Sequence, residues 1–129
     1  MKKYRLKSGR ELSKMDMLVV LDWCKKYLGR SKYFSIRKLR LRIDSRMTFL
    51  GQFGVDTNTI YVNPSIHRNF SHIIETIIHE YVHFLQNPKE YDRLSREIFY
   101  DDYYDHPHEY EAETIALELA PKCYKHLKK

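Results

Sequence analysis

His79, Glu80 and His83 form the pattern H-E-x-x-H within "IIHEYVHFLQNP", residues 77–88. On a helix, residues four apart lie about one turn apart on nearly the same face, so both imidazoles can reach one ion. Zinc accepts neutral imidazole at about 2.0–2.1 Å, and a catalytic site keeps one of its four positions for water. Glu80 projects about 100° round the helix from His79 and about 60° from His83. It can therefore approach that water as a general base without ligating the ion, while the metal polarises a scissile carbonyl. Two hydrogen-bonded histidines at the edge of a core helix would show the same pattern. A third ligand decides between the two.

The candidates for that ligand lie in "DHPHEYEAETIALELA", residues 105–120: Asp105, His106, His108, Glu109, Glu111 and Glu113. A helix over this stretch has its apolar stripe at Ala112, Ile115, Ala116, Leu119 and Ala120. At about 100° per residue Glu109 falls inside the stripe, Glu113 on its edge, and Glu111 outside. A carboxylate aimed into a core is costly unless a cation meets it. An ion held by His79 and His83 would be that cation, so Glu109 is the expected third ligand. Glu113 is then the expected hydrogen-bond partner of a ligand histidine. His106 and His108 remain alternatives as ligands, and with Tyr103 and Tyr104 they are candidate donors to an oxyanion.

His79-Glu80-x-x-His83, followed 26 residues later by Glu109-x-x-Ala112-Glu113-x-x-Ala116, resembles the zincin superfamily of metallopeptidases. It is most similar to the glutamate-zincins, including small phage and mobile-element peptidases that cleave repressors. Those have Ala-Asn where this chain has Ala112-Glu113. The resemblance spans about residues 47–120. It implies a zinc-dependent endopeptidase, with a small sheet beside the motif helix and an edge strand that holds extended substrate. "GQFGVDTNTIYVN" is the candidate for that edge, by strand addition.

The elements that must position these residues are legible in the apolar pattern. Residues 11–28 place Leu12, Met15, Val19, Trp23 and Tyr27 at helical steps, ending near Gly29. In "SIRKLRLRI" Leu39, Leu41 and Ile43 alternate with Lys38, Arg40 and Arg42, as in a half-buried strand. "MTFLGQFG" and "NTIYVNP" read as two more strands. The motif helix is expected over about 67–86, a short helix after Asn87-Pro88, and a last helix from Pro107 to about Ala120, where Pro121 would kink or end it. The class is α+β in one domain spanning 1–129.

Charge adds a second theme. Residues 1–46 hold fifteen Lys/Arg and four Asp/Glu, a balance of +11, while residues 47–129 have a balance of −5. Such a basic half could track phosphates. In this it is similar to SprT-like proteases, which act on proteins crosslinked to DNA, though the zinc ribbon common there has no counterpart in Cys24 and Cys123. A nucleic-acid-associated protein is therefore the alternative function. An inhibitor on a degenerate zincin scaffold is a third, against which the intact Glu80 argues. The two separated cysteines suggest buried thiols in a reducing cytoplasm. Asp16 and Asp22 flank the short run "MLVVL", which argues against an export signal, and no apolar stretch is long enough for a membrane span.

Overall fold

The computed structural model describes residues 1–97 and 105–128. A short hairpin comes first: β1 (Lys3–Arg5) pairs antiparallel with β2 (Glu11–Ser13). Helix α1 (Lys14–Leu28) follows, and then β3 (Arg40–Ile43), β4 (Gly51–Gly54) and β5 (Thr59–Val62). After a 3-10 turn at Pro64–Ile66 come α2 (Phe70–Leu85), α3 (Pro88–Glu97) and α4 (Pro107–Leu127). The α+β layout expected from the sequence is the one observed. No helix among the described residues is long and apolar enough to cross a membrane.

The sheet has the order β3-β5-β4, with β3 parallel and β4 antiparallel to β5. The chain passes from β3 to β4 across the end of the central strand. Asn63 ties that crossing down, because its side-chain amide donates to the carbonyls of Met47 (2.6 Å) and Ser45 (3.4 Å). Leu41, Phe53, Ile60 and Val62 face inward and are buried, whereas Arg40, Arg42 and Gln52 are exposed on the outer face. This is the period-2 alternation of a sheet covered on one side.

Helix α2 covers the inner face. Ile73, Ile74, Ile77 and Ile78 are fully buried, each contributing about 2 kcal/mol of apolar transfer free energy. Its start is capped by Asn69, whose side chain accepts from the His72 amide at 3.0 Å. Its main helical partner is α4, where Ala112 and Ala116 are buried and small enough to let the two helices approach closely. His67, buried beneath the start of α2, bonds the Asn63 carbonyl at 2.6 Å and the Thr76 hydroxyl at 2.8 Å. Burial lowers its pKa to about 4, so near neutrality it acts as an uncharged brace between the sheet and α2.

Several boundaries and one helix face differ from the sequence reading. Residues 11–13 belong to β2, and α1 begins at Lys14 because Ser13 and Asp16 form a reciprocal capping box there. The buried face of α1 is Met17, Val20, Leu21, Trp23 and Cys24, while Met15, Val19 and Tyr27 are exposed. Both stripes have helical spacing, and only the location of the core chooses between them. Helix α4 does not stop near Ala120 but continues through Pro121 to Leu127. The proline leaves the carbonyl of Leu117 without its helical donor, and Leu117 is exposed, where water can serve that carbonyl. Beyond it, Cys123 is fully buried and Tyr124 packs against the core, which holds the last turns in place. Cys24 and Cys123 are both buried free thiols.

Candidate metal centre

Helix α2 presents His79 and His83 on one side, and α4 brings Glu109 against them. Glu109 Oε1 lies 3.1 Å from His79 Nε2 and 2.9 Å from His83 Nε2. The three donor atoms fall within 4.8 Å of one another. A tetrahedral ion with bonds of about 2.0–2.1 Å would separate its ligand atoms by roughly 3.3 Å. Side-chain movements of at most about 1.5 Å would therefore close the set around an ion.

The far sides of the imidazoles supply a sharper test of fit. His79 Nδ1 lies 3.3 Å from Glu113 Oε2. His83 Nδ1 lies 2.6 Å from Gln86 Oε1. Gln86 cannot be turned round, because its amide nitrogen already donates to the His108 carbonyl and to Glu111, both at 2.9 Å. Both Nδ1 atoms thus have an oxygen beside them, hydrogen-bonded at His83 and within ion-pair distance at His79, which favours an N–H there. A neutral imidazole carries one N–H, so both Nε2 atoms are left as lone-pair donors aimed at one place. Without a cation, both adjacent rings would have to be protonated to satisfy every contact. Two neutral imidazoles and a carboxylate, held from behind by a carboxylate and an amide, suit a borderline ion such as zinc.

Glu109 is 2 % exposed. Burial alone would raise its pKa, but without an ion the N–H contacts from His79 and His83 and the Tyr91 hydroxyl outweigh that and hold the carboxyl well below its ordinary range. The bond from Tyr91 is a hydroxyl donated from α3 to Glu109 Oε2. His83 is shifted upward. Burial disfavours its charged form, but the bond to Glu109 and the nearby carboxylates of Glu80 and Glu109 prevail.

Glu80 stands beside this group and does not join it. Burial raises its pKa, against the opposing pull of His83, His79 and a hydrogen bond from the Phe53 backbone. The Phe53 bond places Glu80 at the outer edge of β4. Leu50 and Asn63 form a bonded pair in the β4–β5 ladder. By antiparallel alternation, Gly51 and Phe53 direct their backbone groups away from β5, toward the His79, His83 and Glu109 group. Gly51 has a further reason to be glycine. A Cβ there would lie 2.5 Å from Thr76 Cγ2 and 3.2 Å from Glu80 Cγ.

Gly51→Ala ordinarily gains up to about 1 kcal/mol from reduced chain entropy. The contact with α2 reverses the sign at this position. The expected result is a loss of about 1–3 kcal/mol in urea unfolding, as for other overpacked sites. Thr76→Ser removes the offending methyl and keeps the hydroxyl that bonds His67, so it should restore part of the loss in the double variant, the Tyr61 carbonyl at 3.1 Å and Glu80 Cγ at 3.2 Å remaining close. If Gly51→Ala leaves stability unchanged or raises it, β4 does not press on α2 as described.

The structure therefore brings together His79, His83, Glu109 and Glu80, with Glu113 behind His79. It does not bring in the two other candidate histidines, His106 and His108. His106 caps the start of α4, accepting from the His108 amide at 3.1 Å. Its ring stacks on Tyr91 with centroids 4.3 Å apart. His108 Nε2 lies 2.8 Å from Glu90 on α3. Tyr103 and Tyr104 lie outside the described residues. Two participants were not visible in the sequence reading, Gln86 and Tyr91. Their signal was the Asn87-Pro88 turn, which sends α3 back past the end of α2.

No family model matches this chain, and comparison with curated proteins and with solved structures gives no match.

Proposed function

We propose that the protein is a zinc-dependent endopeptidase, with His79, His83 and Glu109 as ligands and Glu80 as general base. The observation that carries this reading is the pair of Nε2 atoms converging on Glu109 while both Nδ1 atoms have an oxygen beside them. When bound, the ion supplies a Lewis acid that polarises the carbonyl under attack and makes water more acidic. The backbone groups of Gly51 and the carbonyl of Phe53 hold an extended peptide by strand addition along the outer edge of β4, the Phe53 N–H being taken by Glu80. Glu80 takes the proton from the attacking water and returns it to the departing amine. Its burial raises its basicity toward the working pH, which favours both transfers.

A cavity of about 350 Å³ adjoins the group, lined by Phe49, Phe53, Val55, Pro88 and Tyr91 beside Glu80 and His83. Its largely apolar wall suits a hydrophobic side chain next to the bond that is cut. The protein purified without a histidine tag is expected to carry about one zinc per chain by elemental analysis. It is expected to cleave an unfolded protein such as reduced casein, and to lose that activity to a chelator and recover it with added zinc. A chain that neither carries zinc nor takes it up overturns the proposal. The motif helix would then be structural.

A further inference from the structure

The basic half of the chain has no role in the metal centre, and the fold gives part of it a definite surface. On the outer face of the sheet, the register aligns Arg42 with Tyr61 and Tyr61 with Gln52 in one row. The next row is Arg40, Thr59 and Gly54. Arg37, Lys38 and Arg46 are exposed at the two ends of β3. Among the described residues, none of these five cations forms an ion pair. Of the fifteen Lys/Arg in residues 1–46, Lys26 alone pairs with a carboxylate among the described residues, Asp22.

Tyr61 is held flat in this surface. Its hydroxyl lies 3.1 Å from the Thr57 hydroxyl. Its ring leans over Gly54, where a Cβ would come within 2.9 Å of Tyr61 Cε2. Glycine at 54 thus leaves room for the Cε2 edge of the ring, which stays half-exposed. On this side Arg40, Arg42 and Gln52 are exposed, Thr59 is buried, and the carboxylates next along the chain are Asp44 and Asp56. Asp44 is engaged by the Arg46 amide at 3.0 Å.

We infer that this outer sheet face binds single-stranded nucleic acid, with Tyr61 as a stacking surface and Arg40, Arg42 and their cationic neighbours as phosphate contacts. Unpaired cations on a rigid face attract a polyanion. Four of the five are arginines, whose planar forks match phosphate oxygens. An aromatic ring in the same row adds what a phosphate-only surface lacks, a sequence-tolerant stacking site for an exposed base. A base can stack on Tyr61 only where it is unpaired and splayed out, so the strand this face fits is a single one. The site lies on the side of the sheet opposite α2, so it stands or falls apart from the proposed peptidase activity.

The test is fluorescence anisotropy of the full-length chain with a labelled oligothymidylate of about 20 nucleotides. Raising salt from about 50 to 200 mM should weaken binding about fiftyfold if four cations each meet a phosphate. Arg40→Glu with Arg42→Glu should abolish most binding. Tyr61→Leu, which keeps every charge, should weaken it about five- to a hundredfold, the loss of one stacked base. Lys2→Glu with Lys3→Glu changes net charge equally on the N-terminal arm and should have the smaller effect. Circular dichroism checks that the variants remain folded. Binding that is equal in the two charge-reversal pairs, or indifferent to Tyr61→Leu, overturns the proposal. So does a preference for duplex, or displacement by polyglutamate at equal charge, which would point to an acidic protein instead.

Discussion

Replacing Glu80 by Gln is expected to lower the peptidase turnover number by about a thousandfold, within the range of 10²–10⁴ that a positioned general base contributes. The amide is nearly the same shape, and its oxygen can still accept the Phe53 backbone bond that anchors Glu80 at the edge of β4. What it cannot do is accept a proton. Zinc content should therefore stay at the wild-type level, and KM should change little, because no ligand is touched and the Phe53 N–H keeps an acceptor at residue 80. Thermal stability should not fall. Burial already disfavours the ionised Glu80, so a neutral group of equal size costs nothing there. The informative measurement is kcat together with metal content on the same preparation. Turnover at the wild-type rate in Glu80→Gln would remove Glu80 from the base role and leave the other carboxylates near the site to be tested. A joint loss of zinc and activity would mean instead that Glu80 is needed for the metal site.

Glu109→Ala should have the second large effect, a drop in zinc affinity on the order of a thousandfold, the share of one ligand in a tight protein site. Its isosteric variant Glu109→Gln should lose nearly as much while filling the same buried space. The two together separate ligation from packing. The alanine variant also removes the Glu109 acceptor of the Tyr91 hydroxyl, and because Tyr91 is half-buried the cost in the metal-free protein should be about 1 kcal/mol, the net worth of one hydrogen bond. Glu113→Ala provides the contrast. Glu113 touches His79 from behind, at Nδ1, so its loss should weaken zinc only about 10–100-fold. Affinities from chelator competition at one pH would rank the three variants. If Glu113→Ala costs more than Glu109→Ala, Glu113 is the third ligand and Glu109 its support.

The likeness in type between the sequence reading and the structure has a simple basis. His79, Glu80 and His83 lie within one helical turn and a half, and local geometry controls what such neighbours can reach together. Glu109 was legible for a different reason. It breaks an apolar stripe, and a charge at a buried helical position calls for a partner. Period-2 alternation likewise identified β3, because arginines cannot share the buried face with Leu39 and Leu41.

What tertiary structure decided is what local spacing leaves degenerate. In α1, two stripes of helical period compete, and the chain beyond the helix chose Met17, Val20, Leu21 and Cys24 for the core. The parallel pairing of β3 with β5 is non-local, and it is what leaves β4 as the free edge beside Glu80. Pro121 has the local signature of a helix end, yet burial of Cys123 outweighs it. Gln86 and Tyr91 are ordinary residues in sequence. They acquire their roles only when α3 folds back and α4 arrives, because a hydrogen bond to His83 or Glu109 depends on distances that span the whole fold. The chemistry-bearing residues were written locally, and the shell that orients them was settled by packing.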